Sequence, residues 1–207
     1  LASNLISIGA KPYRADFQLF ANKDWLADAK KTNAVREGLE EARKLADFNR
    51  VECTYVLLDE GISGATIITG NSYGVIKPSN RLITGASVKE GDVIYGLPAY
   101  APDISEFVTV REAANMLGQK YLSKLPNGKT LAESMLTPTP VNTMLIIDEF
   151  RHTKPHCIVP ITGGWKDILS IRAEDSQKPG HPLNLRYVIN NPPELPETFR
   201  FLIDQGR

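Results

Sequence analysis

The sequence has no surplus charge of either sign: 24 Lys and Arg stand against 24 Asp and Glu. Nucleic acid and anionic membrane therefore have no net field to respond to, and no local basic patch replaces it. No apolar run approaches the ~18 to 20 residues that a membrane span requires, and the first residues lack a basic start followed by an apolar stretch. Only two cysteines occur, Cys53 and Cys157, far apart and without C-x-x-C spacing, which argues against a disulfide scaffold or a zinc site. They read as small, semi-apolar core residues kept as reduced thiols. Phosphate-loop patterns are missing too. Gly61 and Gly64 around Ser63 form neither G-x-G-x-x-G nor a Walker motif, and Asn127-Gly128-Lys129-Thr130 resembles only the tail of one. There is no repeat at fixed period and no low-complexity tract. The expectation is a soluble cytoplasmic protein with neither a nucleic-acid nor a membrane partner.

Against these absences stand 207 residues, 42% hydrophobic and 23% charged, the composition of one ordinary globular domain or two small ones. Disorder, collagen and coiled coil are excluded. The chain begins at Leu1 rather than Met and its last element runs straight into Arg207, as a fragment would.

Apolar periodicity organises the first part. Phe17 and Leu19 alternate within residues 13–20, which predicts a half-buried strand. From Asp24 to about Asp47, Val35, Leu39, Ala42 and Ala46 recur at helical spacing, with Glu40 placed ahead of Lys44 on a solvated face. Val51–Leu58 and Ala65–Ile76 are β-branched runs separated by Asp59-Glu60-Gly61-Ile62-Ser63-Gly64, which suits a turn between two strands. Lys77-Pro78-Ser79-Asn80 breaks the pattern, and a domain boundary is expected near residue 85, giving parts 1–84 and 85–207.

The second part predicts a short strand at Val93–Leu97, a helix over about Glu106–Leu122 and a turn at Pro126-Asn127-Gly128. A helix should follow Pro138 and Pro140, then a strand at His156–Ile161, a short helix from Trp165, a strand at Leu185–Ile189 and a last helix from Pro196. Helices and strands mixed in both halves argue an α+β fold in two lobes.

Ile161-Thr162-Gly163-Gly164-Trp165 is the most chemical-looking local feature, because a strand ending in Thr-Gly-Gly and opening a helix can present backbone N–H groups to an anion. The bland alternative is a plain turn. Asp59-Glu60 could meet a magnesium ion carrying phosphates, or simply form a solvated turn. His152, His156 and His181 could each supply a general base, but nothing pairs them with a nucleophile. A Cys157/His156 dyad is disfavoured because neighbours on a strand face opposite ways.

Several segments together resemble one family. Ile8-Gly9-Ala10-Lys11-Pro12, Thr84 through Pro98, Leu136-Thr137-Pro138-Thr139, His156 through Gly164 and Glu194 through Leu202 stand here in the order seen in aminoimidazole ribonucleotide synthetase, the phosphoribosylformylglycinamidine cyclo-ligase of purine synthesis. The resemblance implies an α+β, two-lobed architecture whose first lobe is incomplete at its start, and a homodimer formed through that lobe. It implies ATP and magnesium as cofactors and a phosphorylated small-molecule substrate. ATP would activate an amide oxygen as an imidophosphate, and an internal amine would displace phosphate to close the ring. By position, the resemblance puts Asn4, Glu52 and Thr54 on the ATP side and Thr162, Gly163 and Gly164 at the substrate phosphate. No catalytic residue follows from it.

The departures from the family's pattern are as informative. Its Asp-Gly-Val-Gly-Thr-Lys type segment has no counterpart here, and its Asp in the helix before Gly-Ala-x-Pro is Asn4. Its Gly-Gly-Glu-Thr is Val51-Glu52-Cys53-Thr54, so the acid is either displaced to Glu52 or replaced by Cys53. Its Ser-Gly-x-His-Ser-Asn-Gly loop is Ala99 through Glu106, and its third glycine after Ile-Thr-Gly-Gly is Trp165. A non-catalytic relative that keeps the fold for binding or dimerisation is the rival expectation. A kinase of a small phosphorylated vitamin precursor is disfavoured by Leu136-Thr137-Pro138-Thr139.

Overall fold

The computed structural model describes residues 1–58, 66–76, 82–97, 106–138, 143–149, 152–162, 167, 188–192 and 194–206. They form an α+β protein whose only sheet, among the described residues, has three strands. The chain divides into two compact units, Leu1–Ala86 with Val141–Ile158, and Ser87–Pro140 with Val159–Arg207.

In the first unit, α1 (Ala2–Ser7) leads into β1 (Lys11–Ala21). Ala2 and Ile6, one turn apart, are the buried side of α1. The helix stops at Gly9, whose φ of 82° is open to glycine without strain. There the N–H of Gly9 donates to Ile6 O at 2.8 Å and that of Ala10 to Leu5 O at 2.9 Å, which closes a Schellman cap. The Gly-Ala-x-Pro segment is thus a helix stop feeding a strand.

The helix expected over 24–47 is two helices. Asn22 accepts from the Trp25 N–H to cap α2 (Lys23–Ala27), and Asp28 accepts from the Lys30 and Lys31 N–H groups to cap α3 (Ala29–Leu45). A side-chain acceptor in mid-pattern satisfies orphan N–H groups and restarts the helix. At the far end Asp47 takes φ 55°, while Phe48 N–H reaches Arg43 O at 3.0 Å. This second Schellman turn drops Phe48 into the core and aims the chain at β2 (Arg50–Leu57).

β2 lies parallel to β1, with Asp16 opposite Glu52 and Gln18 opposite Thr54. β3 (Ile67–Val75) runs antiparallel on the other edge of β1, with Asp16 opposite Asn71. The strand order β2-β1-β3 corrects the expectation that the runs at 51–58 and 65–76 are neighbours joined by a turn. A strand reached through a helical crossover pairs parallel with its predecessor, and β3 then takes the other edge of β1 rather than the outer edge of β2, which makes β1 the central strand. The intervening Asp59–Gly64 lies outside the described residues. Ala2, Ile6, Ala15, Ala46 and Phe48 form the core of this unit, with Leu5, Phe17, Val51 and Ile146 packed on it. Ile146 belongs to α6 (Thr143–Glu149), the helix expected after Pro140, and it draws that segment to the first unit.

The second unit holds α4 (Phe107–Asn115), a 3-10 turn at Lys120–Leu122, α5 (Leu131–Met135) and α7 (Glu197–Asp204). Its core is Val110, Ala114, Leu125, Leu131, Met135 and Leu202. The Pro126-Asn127-Gly128 turn folds as expected, with Lys124 bridged to Thr130 and Gly128 at φ 83°. Thr130 and Glu133 then cap α5 reciprocally. The buried hydroxyls of Ser134 and Thr198, 2.6 Å apart, join α5 to α7.

The expected helix 106–122 stops at Asn115 and tightens into the 3-10 turn. Val93–Leu97 and His156–Ile161 form no strand. An apolar run becomes a strand only where a sheet edge offers it partners, and Pro160 removes an N–H from within the latter segment. Val188 and Ile189 are likewise irregular, while 185–187 and the helix start at Trp165 lie outside the described residues.

Candidate functional site

Alternation along paired strands sorts the sheet into two unlike faces. Ala15, Phe17 and Leu19 of β1 share one face with Val51, Cys53 and Tyr55 of β2, opposite which they sit. Ala2 and Ile6 of α1 and, after α3, Ala46 and Phe48 pack with this face, and the Tyr55 hydroxyl donates to Thr32 O of α3 at 3.3 Å. The other face carries Arg14, Asp16 and Gln18 of β1, Arg50, Glu52 and Thr54 of β2, and Thr69, Asn71 and Tyr73 of β3. It is polar along most of its length.

Four charges meet on that polar face. Arg14 donates from Nε to Asp16 Oδ1 at 2.7 Å and from Nη2 to Glu52 Oε2 at 2.8 Å. Arg50 pairs with the other oxygen of Glu52. Arg14 and Arg50 are directly opposite each other across the β1–β2 ladder. Like charges so placed repel, and Glu52 offsets this by taking one guanidinium on each oxygen. The hydrogen bond to Asp16 holds the Arg14 guanidinium above its ordinary value.

The residues expected on the ATP side do not gather at one place. Glu52 and Thr54 lie on the polar face, whereas Asn4 is exposed on α1, whose buried side packs against the opposite face. Cys53 points to that opposite face as well, because it stands opposite Phe17. Burial pushes its thiol up, so it stays neutral. Glu52 and Cys53 therefore lie on opposite faces of the sheet. A one-residue offset along a strand reverses the face, so Glu52 cannot present its acid where a residue at position 53 would.

Of Thr162, Gly163 and Gly164, expected at the substrate phosphate, Thr162 is exposed, while Gly163 and Gly164 lie outside the described residues. The Thr162 N–H donates to Asp167 Oδ2 at 2.8 Å. A carboxylate on that N–H occupies one donor that an anion would use, and adds a like charge beside it. His152 is exposed, and His156 and Cys157 sit in irregular chain rather than on a strand. Asp59, Glu60 and His181 lie outside the described residues. The alternation that put Phe17 and Leu19 on one face also puts Arg14 and Asp16 on the other. That polar phase was the overlooked signal.

No family profile matches the chain. Over 204 residues it is 28% identical to a curated protein of Methanococcus vannielii (strain ATCC 35089 / DSM 1224 / JCM 13029 / OCM 148 / SB) named phosphoribosylformylglycinamidine cyclo-ligase. The aligned region takes in 96% of this chain and 53% of that protein, so the chain spans about half the length of the curated relative it matches. The resemblance read from short segments is thereby a similarity along nearly the whole chain.

Magnesium does not fit the described residues. A hard cation needs several anionic or carbonyl oxygens, and no group of three His, Cys, Asp or Glu suited to a metal occurs among them. The helix-covered face offers the neutral Cys53 thiol, and the polar face offers carboxylates already neutralised by arginine. Among the described residues no helix is long and apolar enough to cross a membrane.

Proposed function

We propose that this chain is part of a phosphoribosylformylglycinamidine cyclo-ligase-like protein of purine biosynthesis, and that within it these residues supply framework and association surface rather than the seat of ATP and magnesium. The observation that carries this reading is the double ion pair of Glu52 with Arg14 and Arg50. It uses up the one carboxylate that the family pattern leaves in this strand. The similarity to a protein of that name along nearly the whole chain supports the family assignment. Loss of charge at Asn4 and Cys53 supports the separation from metal chemistry. Each charge-assisted contact missing from a phosphate site costs about 1.5 to 3 kcal/mol, roughly tenfold or more in affinity.

The open sheet edges support association. Among the described residues, β2 and β3 each pair with β1 alone, and an uncovered strand edge or sheet face favours a second copy. A homodimer in a reducing cytoplasm, handling a phosphorylated small molecule in concert with residues outside this chain, is the form we propose.

Isothermal calorimetry of the 207-residue chain with ATP and magnesium, together with an assay of ADP release, tests the reading. Weak binding without turnover is expected. Micromolar ATP affinity with steady ADP release from this chain alone would sink it. The second reading, a wholly non-catalytic relative, is favoured by Asp167 occupying the Thr162 N–H. Complementation of a purine auxotroph lacking the cyclo-ligase by the intact gene separates the two: growth supports the ligase, and no growth from well-expressed protein supports the binding relative.

A further inference from the structure

We infer that Arg14 is a built-in replacement for a divalent cation on the polar sheet face, holding Asp16 and Glu52 together so that no metal is taken up between them. The inference rests on the ligase-like reading only for the expectation of a metal; the geometry stands apart from it. Asp16 and Glu52 are direct cross-strand partners, so their carboxylates project from adjacent strands onto the same face. Two like charges so placed repel unless a cation lies between them. The guanidinium is that cation, with Nε on Asp16 at 2.7 Å and Nη2 on Glu52 at 2.8 Å. Its planar fork spans two acceptors as a metal ion would, and unlike a metal it is tethered to the chain, on the same strand as Asp16 and next to the strand of Glu52. Arg50 closes the remaining side of Glu52. Tyr73, opposite Arg14 on β3, is the further titratable group on this face beside them.

Removing Arg14 should therefore expose a two-carboxylate site that the native chain masks. Manganese(II) is the probe, followed by water-proton relaxation and by paramagnetic broadening of backbone amides of β1 and β2. The native chain is expected to show no manganese binding at this face below millimolar concentration. Arg14→Gln should gain affinity by roughly tenfold or more, with broadening centred on residues 16 and 52. Adding Glu52→Gln to that variant should abolish the gain, and Arg14→Lys, which keeps a charge, should not show it. The Arg14 Nε–H signal of the native chain gives a readout that needs no variant. It should be slow to exchange and unmoved by manganese. Tight manganese binding by the native chain that broadens this signal, or an Arg14→Gln chain that is folded yet gains no affinity, would overturn the inference. ADP release from metal held elsewhere would defeat the functional proposal and leave Arg14 in place, so the two failures are distinguishable.

Discussion

Arg14 reaches diagonally across the parallel β1–β2 ladder to Glu52, donating from Nη2 to Oε2 at 2.8 Å over a separation of 38 positions in the sequence. The contact ties the strand that opens the βαβ crossover to the strand that completes it. Glu52→Gln removes the charge that separates Arg14 from Arg50 while leaving the shape almost unchanged. The expected result is a modest fall in the urea midpoint at low salt that largely vanishes near ~1 M salt, where exposed charges a few ångströms apart are screened. A loss equally large at both salt concentrations would mean that packing rather than charge is at stake.

The legibility of this fold follows from where its signals are local. The strands at 13–20, 51–58 and 65–76 announce themselves by β-branched and alternating residues, and the structure extends or trims them by a few positions. Their order in the sheet is not local, since after the crossover β3 could join either β1 or the outer edge of β2, and tertiary packing rather than local sequence selects between them. Asp28 marks the break with a capping side chain inside the helical stripe, a signal that the spacing of Val35 and Leu39 alone does not carry. At Glu52 and Cys53 the residue types were readable but the face was not, because the face is fixed by register with β1. The strands expected at Val93–Leu97 and His156–Ile161 failed for the same reason: apolar composition does not supply an edge.

The Thr130–Glu133 capping box gives α5 a pH dependence. The Thr130 N–H and hydroxyl reach Glu133 Oε2 at 2.7 and 2.9 Å, and these bonds hold the Glu133 carboxyl below its ordinary range. A carboxyl depressed in the folded state stabilises it above the unfolded value, and that contribution is lost as pH falls through the folded value. The amide shifts of Thr130 and Glu133 should therefore move together on acidification, below the pH at which a free glutamate titrates. In Glu133→Gln, whose amide oxygen still accepts, that step should disappear while α5 persists. A step unchanged by this substitution would assign the titration to another group.

Leu131 and Leu136 lie five residues apart, with opposite environments. Leu131 is fully buried among Val110, Leu125 and Leu202, while Leu136 is 78% exposed. Leu131→Ala should cost about 2 to 5 kcal/mol in the stability of the second unit, the usual range for an unfilled core site. Leu136→Ala should stay within about 0.5 kcal/mol. Hydrogen exchange of α4, α5 and α7 amides reads both. Equal effects from the two would contradict the core assigned to this unit.

Two glycines should respond to alanine with opposite signs. A Cβ at Gly70 on β3 would stand 2.7 Å from Phe17 Cε1, 2.8 Å from Phe17 Cδ1 and 3.1 Å from Leu1 Cδ1. The Phe17 ring lies against the sheet where Gly70 faces it and belongs to the packed core, so it cannot swing away freely. Gly70→Ala should destabilise by about 1 to 3 kcal/mol, as overpacking does. Phe17→Leu removes the clashing ring atoms, and the double substitution should therefore cost less than the sum of the two single ones, a coupling that contacting residues show and distant ones do not. Gly38, in the exposed middle of α3, has nothing within 4 Å of the added methyl. There alanine only narrows the unfolded ensemble and favours the helix, so Gly38→Ala should stabilise by roughly 0.5 to 1 kcal/mol. Thermal and urea unfolding of the four chains measure all of these. Additive effects at Gly70 and Phe17 would mean that the ring does not lie over Gly70, and the face of β1 that α1 covers would have to be reassigned.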